Sequence, residues 1–255
     1  MAASRACWKP GNISTRFVAG SEGEADLPPA ELTTIREAFE RTVRLVPSAR
    51  LREAVMSALA DDDDDLALLA EIEGATSGRL IAEERGLGGL TADELVHGVP
   101  HAKFINASFA YAKPREPGRF NPANRGAWYA ALVVETCIAE VGHHLTKALA
   151  DAGDFNAIVE YGEMVASMSG VFIDLRGFPD HPSLDPDAAK GYPAGNALAA
   201  EARGKGHNGI IYPSVRHAGG TCIAALWPNV VQSVVQGAMY RLTWSGEPEF
   251  AWEAI

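Results

Sequence analysis

From His97 onward, short runs rich in β-branched and aromatic residues recur between glycine and proline punctuation: AKFINASFAY, GAWYAALVV, GVFIDLRG, NGIIYPSV, TCIAALW and YRLTW. Runs of this kind, bounded by turn residues, read as strands. Two helical segments interrupt the series, about residues 135–150 (ETCIAEVGHHLTKALA) and about residues 194–203 (AGNALAAEAR). A doubly wound parallel sheet needs regular strand–helix alternation, which this pattern lacks. The expectation is therefore an α+β fold, a mixed, strand-rich sheet domain with flanking helices.

The upstream part has another texture. Residues 1–30 are rich in Gly, Pro, Ser and acidic side chains and read as an irregular arm. From Pro28 to about Leu95 the apolar spacing is helical. Ile35, Ala38, Phe39, Val43 and Val46 recur three and four apart, as do Leu51, Ala54, Val55, Ala58 and Leu59. The expected organisation is an N-terminal arm and helical extension over residues 1–95, docked without a flexible linker on a sheet domain over residues 96–255. The five aspartates at 61–65 are adjacent. A calcium loop alternates its ligands around a glycine, so the run reads as a solvated connector.

Lys plus Arg number 22 against 33 Asp plus Glu, a net charge of -11. That disfavours direct nucleic-acid binding, which needs a basic face, but leaves room for a small anion gripped by a few placed cations. Cys7, Cys137 and Cys222 form no CxxC or zinc spacing and read as reduced structural thiols. The start of the chain lacks the pattern of a secretory leader, and no apolar run reaches the ~20 residues a bilayer span takes. The expectation is a cytoplasmic protein without a membrane partner.

The stretch GRFNPANRGAWYAALVVETCIAEVGHH, residues 118–144, is dense in groups that do chemistry. Arg119 sits in a loop before an Asn-Pro turn, where it is either a surface arginine or a two-pronged grip on phosphate or carboxylate. Glu140 borders the apolar face of the first helix, while Glu135 sits at the helix start, where the dipole favours a carboxylate. Glu140 is thus the chemical candidate and Glu135 the structural one. His143 and His144 point about 100° apart on a helix, unlike a zinc pair four residues apart, so no metal is expected, although one of them can line a pocket. Ser214 lies just past a strand end in YPSVRH, which is not a GxSxG elbow, so it reads as an orienting group rather than a nucleophile. Asn196 either caps the second helix, the safer reading, or presents its amide to a ligand. Neither the GxGxxG nor the GxxxxGK[ST] phosphate loop is present.

These residues resemble a known family. GRFNPANRGAWYAALVVETCIAE is similar to the RES domain pattern, in which a Gly-Arg-(Phe/Trp)-Asn-Pro loop precedes a Tyr-containing strand and a glutamate follows the tyrosine by eleven residues. Here these are Tyr129 and Glu140. Gly209–Ser214 matches the family's Gly-(Ile/Val)-x-(Tyr/Val)-Pro-Ser strand end. The resemblance covers roughly residues 97–245.

It implies a fold like the catalytic domains of ADP-ribosylating toxins. It also implies cleavage of the nicotinamide–ribose bond of NAD by phosphorolysis or hydrolysis, and a role as the toxin of a bacterial pair with a helix-turn-helix antitoxin. NAD would be the substrate and inorganic phosphate a candidate acceptor, with self-association left open. Arg119 would hold the pyrophosphate or an attacking phosphate, Tyr129 the nicotinamide ribose, and Glu140 the oxocarbenium-like cation, while Ser214 would orient the substrate. Lys103, Asn121 and Asn196 would be further NAD contacts. Lys103 in HAKFINASF stands where many RES proteins have an arginine, and a lysine cannot reproduce a bidentate fork. Two other readings stay open: transfer of ADP-ribose to a macromolecule, and a catalytically silent nucleotide- or partner-binding domain.

Overall fold

The computed structural model describes residues 32–51, 89–110 and 116–255. Cys7, the aspartate run at 61–65 and the helical pattern over residues 52–88 lie outside the described residues.

Seven strands form one mixed sheet in the order β1-β2-β5-β4-β3-β6-β7. They are β1 (Thr33–Pro47), β2 (Trp128–Ala131), β3 (Asn156–Asp174), β4 (Gly209–Pro213), β5 (Thr221–Ala225), β6 (Val231–Ser245) and β7 (Phe250–Ala254). β1 also pairs with β3, so the pairings run in a closed circuit β1–β2–β5–β4–β3–β1, with β6 and β7 continuing from β3. The only parallel pair among the described strands is β3 with β4. Among the described residues, three helices of eight or more residues accompany the sheet: α1 (Ala102–Ala110), α2 (Val134–Ala152) and α3 (Ala188–Gly204). The expected α+β architecture is what the chain adopts.

Three local expectations are corrected. Residues 33–47, expected as helix, form strand β1, which pairs with β3 from Thr33↔Asp174 to Pro47↔Tyr161. The pairing shifts register between Phe39 and Thr42. This bulge changes which parity faces which core: Ile35 and Phe39 before it and Val46 after it pack in one cluster, Val43 and Leu45 in the other. A period-2 strand broken by one bulge thus imitates helical spacing. Residues 102–110 of the run AKFINASFAY, expected as strand, form α1, with Ile105 and Phe109 buried one helical turn apart. The Asn106 side chain there bonds both the N–H and the carbonyl of Val96. Finally, the second helix begins at Ala188, not at 194, and its N-cap is Asp187, whose carboxylate accepts from Ala189 N–H. Pro193 lies inside α3 rather than ahead of it.

Two apolar cores lie against the sheet. One joins α2 and α3 to the sheet through Phe120, Ile138, Leu198 and Tyr212; the other gathers Ile105, Phe109, Trp128 and Phe172. Each such side chain contributes about 1.5–3 kcal/mol by leaving water. α2 packs its Ile138 side on the first core, leaving the helix edge that carries Glu140 along a cleft.

Candidate active site

The cleft has a volume of about 1030 Å³ and lies among β1, β2, α2, α3 and the loop at residues 116–121. Its depth is set by the Gly118–Asn121 loop, which is closed by a bridge between its two ends, Gly118 N–H donating to Asn121 O at 3.0 Å. Tyr129 fastens this loop: its hydroxyl accepts from Phe120 N–H at 2.8 Å and donates to Asn121 Oδ1 at 2.8 Å. Asn121 in turn donates to the carbonyls of Pro122 and Arg125. Every polar atom of the Asn121 side chain is thereby committed within the loop, so it shapes the cleft wall by holding the backbone. A Cβ on Gly118 would stand 2.1 Å from Asn121 Oδ1 and 2.8 Å from the Tyr129 hydroxyl. Burial holds that phenol protonated, raising its pKa, so it donates and accepts without carrying charge.

Arg119 is buried, 8% exposed, with Nη1 donating to the carbonyls of Ser183 and Asp185 and the guanidinium 5.4 Å from the Tyr192 ring centre. Its other N–H groups make no hydrogen bond among the described residues. Asn196 lies in the middle of α3, not at its cap. Its Nδ2 donates to Gly118 O at 2.8 Å and Tyr192 O at 2.8 Å, which pins the helix to the arginine loop. Its buried Oδ1 has no partner.

On the facing helix, Glu140 Oε1 accepts from Ser214 Oγ at 2.6 Å. Ser214 Oγ itself accepts from the N–H groups of Arg216 (3.1 Å) and His217 (3.0 Å). With those acceptor positions filled, the single hydroxyl proton is directed to the carboxylate. His217 is braced by Thr136 Oγ1 at 2.8 Å from Nδ1. The sequence candidates Arg119, Asn121, Tyr129 and Glu140 all line the cleft, and Ser214 and Asn196 bond to groups that do. Lys103 does not join them: it stands exposed on α1, outside the cleft lining.

One charged residue was missed. Arg44 of β1 lines the cleft with its guanidinium 4.8 Å from the Trp128 ring centre. Its buried Nη1 has no partner, and burial first, with Arg50 adding, lowers its pKa to about 10, so it stays charged at neutral pH. The available signal was a lone arginine inside the apolar run TVRLV. Cys137 and Cys222 also line the cleft as free thiols. Burial pushes the Cys137 thiol up to about 12, so it stays protonated. Among the described residues no carboxylate forms an ion pair with Arg44 or Arg119. No group of three or more His, Cys, Asp or Glu among them is placed to hold a metal ion, and no helix among them is long and apolar enough to cross a membrane.

The fold and cleft define a strand-rich α+β domain with a buried arginine, a half-buried arginine and one hydrogen-bonded carboxylate around a cavity suited to an anionic ligand. Residues 95–245 match the family model described as RES domain, and the chain belongs to the RES domain family. Among solved structures, a chain of the M. tuberculosis MbcT–MbcA toxin–antitoxin complex is similar over 50% of this chain and 74% of that one, at 16% identity and a TM-score of 0.35. No curated protein matches the chain.

Proposed function

We propose that this protein cleaves the nicotinamide–ribose bond of NAD, by phosphorolysis or hydrolysis, and acts as the toxin of a bacterial toxin–antitoxin pair with a helix-turn-helix antitoxin. The observation that carries the reading is the Glu140 carboxylate, fixed by Ser214 at 2.6 Å in a cleft where the buried Arg119 and the half-buried Arg44 lack acidic partners among the described residues. Breaking that bond leaves positive charge on the ribose, and a preorganised carboxylate lowers the barrier by meeting charge as it develops. The pyrophosphate is the complementary anion, which Arg44 and the unengaged N–H groups of Arg119 are suited to hold. Tyr129 and Asn121 act in this reading through the loop that aims Arg119. Membership of the RES domain family supports the choice of NAD and of an antitoxin partner.

The test is NAD loss over time with purified protein, with and without inorganic phosphate, beside Glu140→Ala. Loss that depends on phosphate and disappears in the variant is the expected result for a phosphorylase, and loss in both buffers that disappears in the variant is that for a glycohydrolase. Transfer of label from NAD to a macromolecule would indicate ADP-ribosyl transfer instead. Binding of NAD with no loss in either buffer would leave a silent binding domain. Lys103 in place of an arginine is the sequence feature that favours this last reading, but Lys103 lies on α1 outside the cleft, which Arg44 of β1 lines.

A further inference from the structure

The cleft holds a second basic group apart from Arg44 and Arg119. His143, His144 and Lys147 follow Glu140 along one edge of α2, and Arg216 comes from the loop after β4; all four line the cleft. Arg216 is tethered at this rim by Nη2 donating to Pro186 O at 2.8 Å. The two imidazoles stand edge to face, 5.7 Å between ring centres. Among the described residues, no ion pair joins Lys147 or Arg216 to a carboxylate. Two aspartates also line the rim. Asp187 caps α3 and pairs with Lys190 at 3.6 Å, and Asp151, one turn beyond Lys147, makes no ion pair with it. Two cations, Lys147 and Arg216, with no paired carboxylate among the described residues and with two imidazoles beside them that can donate N–H, form, in a chain of net charge -11, an arrangement that a bound anion completes.

We propose that His143, His144, Lys147 and Arg216 form a second anion subsite, distinct from the Arg44–Arg119 pair, that takes inorganic phosphate as acceptor. The role as acceptor site rests on the NAD-cleaving reading, which it deepens. Spacing supports it. At 1.5 Å rise per residue, His144 and Lys147 stand about 6 and 10 Å along the helix from Glu140, so the basic edge and the carboxylate lie along the same side of the cleft. Lys147 and Arg216 act on the imidazoles beside them: burial first, then Arg216, lowers the pKa of both histidines, while Glu140 acts the other way on His143. In the step itself, the bond from the anomeric carbon to the nicotinamide nitrogen breaks with its electron pair going to that nitrogen. An oxygen lone pair of hydrogen phosphate then forms the new bond to the anomeric carbon, giving neutral nicotinamide and ADP-ribose 1″-phosphate. The subsite would hold the incoming dianion against the acidic background of the chain.

The experiment titrates inorganic phosphate into full-length protein without NAD, by calorimetry or ³¹P NMR. It compares wild type with Lys147→Gln, on the exposed helix face, and with the Lys147→Gln/Arg216→Gln pair. Losing a charge-assisted contact is expected to weaken phosphate binding about tenfold in the first variant and further in the second. In turnover, the KM for phosphate should rise more than the KM for NAD. Absent phosphate binding in wild type, or equal affinity in all three proteins, overturns the subsite. So does weakened NAD binding at constant phosphate affinity, which would assign these cations to the phosphates of the dinucleotide. If wild type consumes no NAD, the proposed function fails, but the titration still decides whether the subsite exists.

Discussion

Two arginines of the cleft differ in what holds them. Arg119 is tied by two carbonyls of the Ser183–Asp185 turn, so its removal frees buried acceptors as well as a ligand contact. Arg44 has only the Trp128 ring beside it and a buried, unpartnered Nη1. Replacing a half-buried charge that has no ion-pair partner with an apolar side chain of similar length breaks no pair, and a Met in its place keeps a contact with the indole. Arg44→Met should therefore melt no lower than wild type while NAD affinity falls about 10- to 100-fold, read by thermal unfolding beside calorimetry. A parallel loss of stability and affinity would mean that the arginine serves packing alone. Ser214→Ala removes the donor to Glu140 and strands two backbone N–H groups. A hydrogen bond to a charged group is worth about 1.5–3 kcal/mol, so turnover should drop roughly 10- to 100-fold with native circular dichroism retained. Arg119, Asn121 and Ser214 were legible in the sequence because each sits in a short loop or past a strand end with its own signature, and Tyr129 and Glu140 because of the eleven-residue spacing between them. Arg44 was not, because its strand was read as a helix, and Lys103 was put forward in its place.

At the scale of elements, the cleft depends on how closely α3 approaches the Arg119 loop. Gly191 and Gly195 lie one turn apart on the helix face that meets it. A Cβ at 195 would stand 2.1 Å from Arg119 O, and one at 191 would stand 2.8 Å from Arg119 Nη1. Gly195→Ala gains up to ~1 kcal/mol of helix propensity but must push the loop away, and overpacking of this kind costs about 1–3 kcal/mol. Gly204, at the other end of α3, has open space around it. Gly204→Ala should therefore stabilise the protein slightly, while Gly195→Ala destabilises it and lowers NAD turnover. Urea unfolding and initial rates on the two variants give the comparison, and equal effects would remove the close-approach argument. The same elements show where sequence reading failed. The second helix was expected only from about residue 194, yet it starts at Ala188 and carries Pro193 near its beginning, where loss of one backbone bond is tolerable. The bulge in β1 and the aromatic-rich helix α1 misled for the complementary reason: the first lent a strand a helical spacing, and the second filled a helix with residues favoured in strands.

Across the whole molecule, titration couples the cleft to stability. His143, His144 and His181 all have pKa values lowered from 6.5, with burial the leading cause in each. The unfolded chain then binds protons at a higher pH than the folded one, so stability rises with pH through this range and falls as pH drops through 6.5. A second decline follows below about pH 4 from Asp174, whose folded pKa is lowered chiefly by its hydrogen bond from Arg176. Stability measured by urea unfolding between pH 8 and about 3 should thus show a neutral plateau and two descending steps. Part of the first step arises from Arg216 and Lys147 repelling protons from the rim histidines, and an anion seated among them would offset that repulsion. Sulfate keeps its charge through this range, and equal ionic strength in chloride controls for screening. Sulfate should therefore flatten the first step relative to chloride, leaving the His181 share and the acidic step in place. Identical curves in the two salts would mean that no anion gathers at the rim, and that the lowered histidine pKa values reflect burial without a site.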